Sequence, residues 1–263
     1  MRTALTIAGS DSGGGAGIQA DLKTFAAHGV YGTSAITAVT AQNTLGVTAW
    51  QALPADLVIA QIEAVAGDIG ADAVKTGMLA NAAIVEAVAA MVASLDLPHV
   101  VVDPVMVAKG GDRLLEDEAV HAMRAELLPR AHVVTPNVPE AEVLAGMSIV
   151  MVADMHEAGR RILALGPRVV LVKGGHLDAG PEVVDVLCIP GASQELRAPR
   201  VATRHTHGTG CTLASAIAAS LALGLDERQA ITRAKEYLAG AIARAPGIGR
   251  GHGPLNHFWR TVY

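Results

Sequence analysis

Aromatic side chains are scarce in this chain of 263 residues, which has two Trp, three Tyr and two Phe although 51% of its residues are hydrophobic. The core must therefore consist mainly of Ala, Val, Leu and Ile, a composition typical of a parallel sheet covered by helices. Cysteine is equally rare. Cys188 and Cys211 are too few for a disulfide framework, and they do not indicate a metal site.

Positive charge is also limited, because 20 basic residues stand against 25 acidic ones and the net charge is −5. A chain of this charge offers no basic field that would attract nucleic acid. Its apolar runs are too short to cross a bilayer, and the strand-like start LTIA at 5–8 does not resemble a signal peptide. We therefore expect a cytoplasmic protein. Lysine is rare as well, so Lys109 and Lys173, each followed by two glycines, are candidate phosphate contacts.

Short β-branched runs alternate with Ala-rich helical segments along the chain, which predicts βαβ units, a mostly parallel sheet and an α/β fold. Nothing in the composition indicates a linker, so we expect one domain over residues 1–263. Strands are expected at 5–8, 33–40, 100–103 and 169–173, and helices at 18–28, 55–68, 155–165, 213–223 and 227–244. Asn81 is expected to cap a further helix that ends near residue 94. Residues 183–199 predict two antiparallel strands at the edge of the sheet.

A glycine-rich loop at 9–17 separates the first strand from the first helix, and residues 15–20 fit the pattern G-x-G-x-x-A. The next strand ends in Ala-Gln-Asn and not in the acidic residue that would bind a ribose hydroxyl, which argues against a dinucleotide site. A Walker A loop is absent, because the chain contains no Gly-Lys pair.

A second glycine loop lies in TRHTHGTGCTLASA at 203–216, where it leads directly into a strong helix former. The first N–H groups of a helix have no internal acceptor, and Gly208 and Gly210 allow a ligand to approach the backbone closely. The segment therefore indicates an anion site, with a tight turn as the alternative. Cys211 lies in the first turn of this helix, where we expect the helix dipole to lower its thiol pKa.

Polar side chains also follow several predicted strands. Gln42 and Asn43 are expected at the carboxyl end of a strand, where open α/β sheets place ligands, although an ordinary turn is the alternative. Asp103 and Glu140 follow two other strands and could supply oxygen ligands to Mg²⁺, although Glu140 could instead be only a helix-entry residue. Asp21, one turn into the first helix, could likewise do no more than complement the helix dipole. The loop at 107–113 is a candidate lid.

Seven motifs occur in order over nearly the whole length: AGSDSGGGAGIQADLKT at 8–24, AVTAQNT at 38–44, KTGM at 75–78, DPVM at 103–106, TPNVPEA at 135–141, KGGH at 173–176 and THGTGCT at 206–212. With these motifs the chain resembles the ribokinase-like kinases, and among them the hydroxymethylpyrimidine/phosphomethylpyrimidine kinases of thiamine biosynthesis. The resemblance implies a ribokinase-like three-layer sandwich, in which helices flank both faces of a central, mostly parallel sheet.

The resemblance also implies a role for each matching residue. Gln42 would read the pyrimidine with Asp21 beside it, and the walls of the pocket would be Gly9, Met78 and Val105. Lys173 and the loop with Gly208, Thr209, Gly210 and Cys211 would hold the phosphates of ATP and the charge that develops during transfer. Glu140, with Asn137 and Asp103, would organise Mg²⁺ through water.

The implied reaction is the phosphorylation of an alcohol by ATP and then of the resulting monophosphate. Many ribokinase-like enzymes carry Asp where this chain has Cys211. Our hypothesis is that a fixed carboxylate would repel the second substrate, whereas a thiol need carry little charge. Pyridoxal kinase is the nearest alternative, and a non-catalytic sensor of a vitamin precursor is a more distant one. The Ala-rich helices and sparse charge favour a homodimer.

Overall fold

A computed structural model describes residues 1–106, 116–177 and 180–260. Within these residues the strands are Thr3–Ala8 (β1), Tyr31–Ile36 (β2), Ala38–Asn43 (β3), Gly46–Ala52 (β4), Ala73–Thr76 (β5), Val100–Val102 (β6), Val133–Val134 (β7), Val169–Val172 (β8), Glu182–Ile189 (β9) and Ala192–Pro199 (β10). The α-helices are Gly17–Ala27 (α1), Ala55–Asp68 (α2), Ala82–Ser94 (α3), Asp117–Ala122 (α4), Val138–Ala145 (α5), Val152–Leu163 (α6), Thr209–Ala222 (α7) and Glu227–Ala243 (α8). A π-helical turn, Met123–Leu127, extends α4.

The central sheet has the strand order β10-β9-β8-β7-β6-β5-β1-β2. The strands from β2 to β8 in this order are parallel to one another. Strand β9 is antiparallel to both of its neighbours, β8 and β10. This arrangement confirms the predicted, mostly parallel sheet and the predicted antiparallel edge. Because parallel strands share a direction, the loops after β1, β5, β6, β7 and β8 all leave the sheet at the same edge.

Side chains of the central strands alternate between two hydrophobic clusters, one on each face of the sheet. In β6, Val100 and Val102 pack in the first cluster and Val101 packs in the second. Helices α2, α3, α5 and α6 cover the first face, and α1, α7 and α8 cover the second. Helices on both faces of one sheet confirm the three-layer sandwich, because both faces of a parallel sheet must be buried.

The predicted strand at 33–40 is wrong, because the chain leaves the central sheet at Thr37. The Thr37 hydroxyl donates to the carbonyl of Met78 (2.6 Å), and β3 then pairs with β4 in a separate antiparallel sheet of two strands. Gln42 and Asn43 therefore lie in this hairpin and not at the carboxyl end of a central strand. The Asn43 side chain accepts from the N–H of Leu45 and holds the turn.

Local signals located most helices correctly. Helix α2 has its predicted bounds, and Asn81 caps α3 by accepting a hydrogen bond from the N–H of Ile84 (3.0 Å). Helix α7 begins at Thr209, four residues before its predicted start. Among the described residues, no helix is both long and apolar enough to cross a membrane.

Candidate active site

The N-terminus of α7 lies at the edge of the sheet where the parallel strands end. Gly208 caps the helix with a φ of 81°, a conformation that favours glycine, and a Cβ at this position would lie 1.8 Å from the carbonyl oxygen of Gly15. A Cβ on Gly210 would lie 3.3 Å from Lys173 Nζ and 3.4 Å from Asp103 Oδ2. The helix therefore presents its positive end beside a lysine and a carboxylate, with only backbone between them.

Lys173 and Asp103 form an ion pair at this helix terminus. Their Nζ and Oδ1 atoms are 3.0 Å apart, and the two side chains are 15% and 3% exposed. Thr135 also donates to Oδ1 at 3.4 Å, and Oδ2 has no donor within the described residues. Burial alone would lower the pKa of Lys173, but the negative charges of Asp103 and Glu140 outweigh it and raise the pKa. Lys173 is therefore a cation that can reach an entering anion.

Lys75 and Asp21 form a second ion pair, which is buried completely. Lys75 Nζ lies 3.0 and 2.8 Å from the two Asp21 oxygens, and both side chains are 0% exposed. Thr6 and Ser215 donate to the same carboxylate at 2.7 and 2.6 Å. Burial opposes the charge of Lys75, yet Asp21 and other anions raise its pKa. The predicted contact of Asp21 with substrate does not fit this position, because protein donors surround its carboxylate.

Cys211 is the third residue of α7 and is half-buried between these ion pairs. Burial raises the pKa of its thiol to about 11, against the opposing effect of the positive charge on Lys75. The expectation that the helix terminus would lower this pKa is therefore wrong. Loss of hydration disfavours the thiolate more than the positive end of the helix and Lys75 favour it. At neutral pH the residue is a thiol.

Asn137 and Glu140 form a capping box at the start of α5. The Asn137 side chain accepts from the N–H of Glu140 (2.9 Å), and Glu140 Oε2 accepts from the N–H of Asn137 (2.8 Å). These contacts confirm that Glu140 is a helix-entry residue, which was the alternative to a metal ligand. Burial, with help from the charge of Asp103 and against that of Lys173, raises the Glu140 pKa to about 7.

Asp103 and Glu140 provide two carboxylates beside Lys173, and no described residue donates to Asp103 Oδ2. Hard carboxylate oxygens of this kind fit Mg²⁺, which binds one or two protein carboxylates and keeps several waters. In the described part of the chain, no group of three or more His, Cys, Asp or Glu residues could hold a metal by itself. The residues therefore fit a Mg²⁺ that arrives with phosphate ligands better than a resident metal ion.

The predicted pocket residues lie at three places. Gly9 and Met78 lie together, since a Cβ on Gly9 would be 2.6 Å from Met78 Cε and the Gly9 N–H donates to the Met78 carbonyl (3.2 Å). Gln42 lies near the second glycine loop, where its Nε2 is 3.4 Å from His207 Nε2. Val105 is half-buried and donates its N–H to the carbonyl of Asp103 (2.8 Å). The candidate lid at 107–113, with Lys109, lies outside the described residues.

Sequence reasoning missed Asp11, which organises the first glycine loop. Its carboxylate accepts from the N–H groups of Gly13 (2.8 Å), Gly15 (2.9 Å) and Ala16 (2.8 Å), and it faces His207. These hydrogen bonds lower the Asp11 pKa although burial raises it. An Asp just before a run of glycines is a recognisable signal, because its side chain binds backbone N–H groups that follow.

Comparisons with known proteins match this chain to kinases, which agrees with an anion site at the start of α7. A family model described as phosphomethylpyrimidine kinase matches residues 11–256. The hydroxymethylpyrimidine/phosphomethylpyrimidine kinase of Bacillus subtilis is 49% identical over 255 residues, which cover 97% of this chain and 94% of that protein. The thiamine biosynthesis bifunctional protein ThiED of Geobacter sulfurreducens is 53% identical over 253 residues, which are 96% of this chain but about half (51%) of that protein.

Among solved structures, an ADP complex of pyridoxal kinase from Bacillus subtilis superposes with a TM-score of 0.93. It is 41% identical, and the match covers 100% of both chains. The fold and the order of its elements are therefore those of ribokinase-like vitamin kinases.

Proposed function

The chain belongs to the phosphomethylpyrimidine kinase family, and we propose that it phosphorylates 4-amino-5-hydroxymethyl-2-methylpyrimidine with ATP and then converts the monophosphate to the diphosphate. This pair of reactions serves thiamine biosynthesis, which the names of its relatives support. The observation that carries the proposal is the N-terminus of α7 beside Lys173, because it offers N–H donors and a cation to one anion.

Phosphoryl transfer requires little covalent chemistry from the protein, so positioning and charge stabilisation supply most of the rate. The N–H groups of the loop from Gly208 to Cys211 stabilise the charge on the transferred group, and Lys173 moves from Asp103 to the phosphate oxygens. Thr209 and Asn137 are the remaining nucleotide contacts in this proposal. Mg²⁺, when bound, supplies charge neutralisation, and Asp103 and Glu140 would hold it through their oxygens and water.

Cys211 acts as a neutral group in this reaction. A thiol with a pKa of about 11 cannot accept a proton as a carboxylate does at neutral pH, but its sulfur can orient the attacking hydroxyl. The second substrate already carries a phosphate. A neutral residue beside it avoids the repulsion of several kcal/mol that two charges at about 4 Å experience in a partly buried site.

The substrate ring is proposed to lie against Gly9, Met78 and Val105, with the Gln42 amide at its polar edge. Asp21 takes a different role from the one its motif suggested. Its carboxylate binds Lys75 and Ser215, which supports a proposed role in anchoring α7 without contact to substrate.

The test is ATP consumption by the purified protein with three acceptors. Turnover of both hydroxymethylpyrimidine and its monophosphate would support the proposal. Turnover of pyridoxal alone would favour pyridoxal kinase, the alternative that the superposition with a pyridoxal kinase supports. No turnover of any acceptor, with retained ATP binding, would favour a sensor.

We further propose a cytoplasmic homodimer of single-domain subunits. The β3–β4 hairpin supports the dimer, because Val39, Leu45 and Trp50 expose 50%, 72% and 47% of their surface. Light scattering after size exclusion would give twice the monomer mass. Val39 and Trp50 lie on opposite faces of the hairpin, because Trp50 pairs with Thr40 and Val39 with Gln51. A Trp50→Glu variant would be monomeric if the Trp50 face of the hairpin is the contact, and a mass of one subunit for the unaltered protein would contradict the dimer.

A further inference from the structure

His207 belongs to the second glycine loop and contacts Asp11 of the first loop and Gln42 of the β3–β4 hairpin. Its Nε2 atom is 2.9 Å from Asp11 Oδ2 and 3.4 Å from the amide nitrogen of Gln42. Its backbone N–H donates to the carbonyl of Gly253 (3.2 Å), and its side chain is 12% exposed. A Cβ on Gly15 would lie 2.5 Å from His207 Cδ2, so the first loop packs directly on the ring.

Asp11 determines where the proton of this ring lies. Its Oδ2 atom can only accept a hydrogen bond, so the His207 nitrogen beside it must carry the hydrogen. Both the neutral Nε2–H tautomer and the charged ring satisfy this requirement. A nitrogen that donates cannot accept from the NH2 group of Gln42 at the same time.

Thr40 lies on the other side of the Gln42 amide and also restricts its orientation. Its hydroxyl donates to the carbonyl of Ser10 at 2.8 Å, so toward Gln42, at 3.4 Å, it can only accept. A half-turn of the amide exchanges its oxygen and its NH2 group without changing its shape. Only the orientation with the oxygen toward His207 and the NH2 group toward Thr40 avoids placing two donors or two acceptors against each other, and in it the amide oxygen shares the single Nε2 hydrogen with Asp11.

We propose that His207, held by Asp11, is a positioning residue that fixes the amide orientation of Gln42 and thereby selects the heterocycle. In this orientation one amide hydrogen is used by Thr40, and the other remains for a ring nitrogen that accepts. The amide oxygen keeps a second lone pair for an exocyclic amino group. A 4-aminopyrimidine offers this acceptor and donor side by side, whereas pyridoxal does not. The inference rests on the proposed function, because it assigns the Gln42 amide to the substrate ring.

The kinetic test compares two substitutions of His207. His207→Gln keeps an N–H donor near the position of Nε2, and His207→Ala removes it. We expect His207→Ala to raise KM for hydroxymethylpyrimidine about tenfold or more, the usual effect of losing one hydrogen bond to a polar partner, while kcat changes about threefold or less. His207→Gln should restore most of the loss. His121→Gln, an exposed residue of α4, is the matched control and should match the unaltered enzyme.

Specificity provides the readout that a purely structural role would not change. In His207→Ala the amide can rotate, so the ratio of kcat/KM for the aminopyrimidine to kcat/KM for pyridoxal should fall. An unchanged KM in His207→Ala, an equal loss on both acceptors, or no rescue by Gln would overturn the proposal.

A measurement without turnover separates this proposal from the function on which it rests. In protein labelled with ¹⁵N-histidine, the ring signals lost in His207→Gln identify His207, and they should show a hydrogen on Nε2 at neutral pH. A bare Nε2 nitrogen would overturn the proposed positioning even if the enzyme is active. If the tautomer is as expected but neither pyrimidine reacts, the proposed substrate is wrong and the specificity claim falls with it.

Discussion

Two lysine–aspartate pairs lie beside the first turns of α7, and they differ in how completely the protein satisfies them. The Asp21 carboxylate accepts two hydrogen bonds from Lys75 and one each from Thr6 and Ser215. Both side chains of this pair are fully buried. Asp103 receives Lys173 and Thr135 on a single oxygen, and Lys173 remains 15% exposed. The first pair is closed and the second is open to a ligand.

The two pairs have the same residue types, but the difference gives the first a structural role and makes the second a candidate to bind a ligand. A buried carboxylate with its donors in place fixes the position of α7 and has nothing further to bind. In the other pair, one carboxylate oxygen has no donor among the described residues and the ammonium is accessible, so this pair can exchange partners when phosphate and Mg²⁺ enter. Burial and hydrogen bonding, which the sequence does not display, therefore decide which pair we propose to bind phosphate.

The largest effect is expected when the closed pair is broken. Lys75→Met leaves a buried carboxylate without its counter-charge, which costs about 3–5 kcal/mol of unfolding free energy. Urea unfolding measures the loss. Lys75→Met combined with Asp21→Asn removes both charges and should recover part of it. A loss below about 1 kcal/mol in Lys75→Met would show that the pair is not the scaffold described.

The next effect concerns the open pair. Lys173→Met should lower kcat for hydroxymethylpyrimidine about 10²–10³-fold, as expected for the loss of one donor to a transition-state oxyanion. Its unfolding free energy should fall less than that of Lys75→Met, because Lys173 keeps contact with water. Steady-state kinetics and urea unfolding on the same preparation test both statements. If Lys173→Met unfolds easily but keeps its kcat, the Lys173–Asp103 pair is structural and the account is contradicted.

Cys211 lies between the pairs, and its charge state is the next test. Cys211→Asp places a carboxylate where the thiol is neutral, so activity on the monophosphate should fall about tenfold or more beyond the fall on the alcohol. Cys211→Ser is the neutral control and should affect both acceptors alike. Equal losses in Cys211→Asp would contradict the charge argument.

The smallest effect is a pH dependence beside the open pair. The pKa of Glu140 is about 7 in the folded protein, above the value of about 4.5 in the unfolded chain, so protonation of Glu140 stabilises the folded state. This stabilisation is complete below about pH 4.5. The contribution should disappear as pH rises through about 7. Melting temperatures from pH 5 to pH 8 should therefore decline more steeply for the unaltered protein than for Glu140→Gln. Parallel curves would show that Glu140 does not titrate in this range.

The sequence predicted the sheet, the bounds of α2 and the Asn81 cap of α3, because periodicity, caps and turn residues are local signals. It placed the start of α7 four residues too late, at residue 213 and not at Thr209. It did not predict that the chain leaves the sheet at Thr37, since the alternation of residues 33–40 continues across the break. Nor did it locate Asp21 below the site or place the Cys211 pKa correctly. Both depend on Lys75 and on burial, which arise only when distant segments pack together.

The most direct test of the open pair is the affinity for a non-hydrolysable ATP analogue with Mg²⁺, measured by isothermal titration calorimetry. If phosphate binds between the N-terminus of α7 and Lys173, Lys173→Met should weaken binding about tenfold or more, and Lys173→Arg should recover part of it. The double variant Lys75→Met with Asp21→Asn should bind the analogue nearly as well as the unaltered protein wherever it is folded. Equal affinity in Lys173→Met and the unaltered protein would contradict the account.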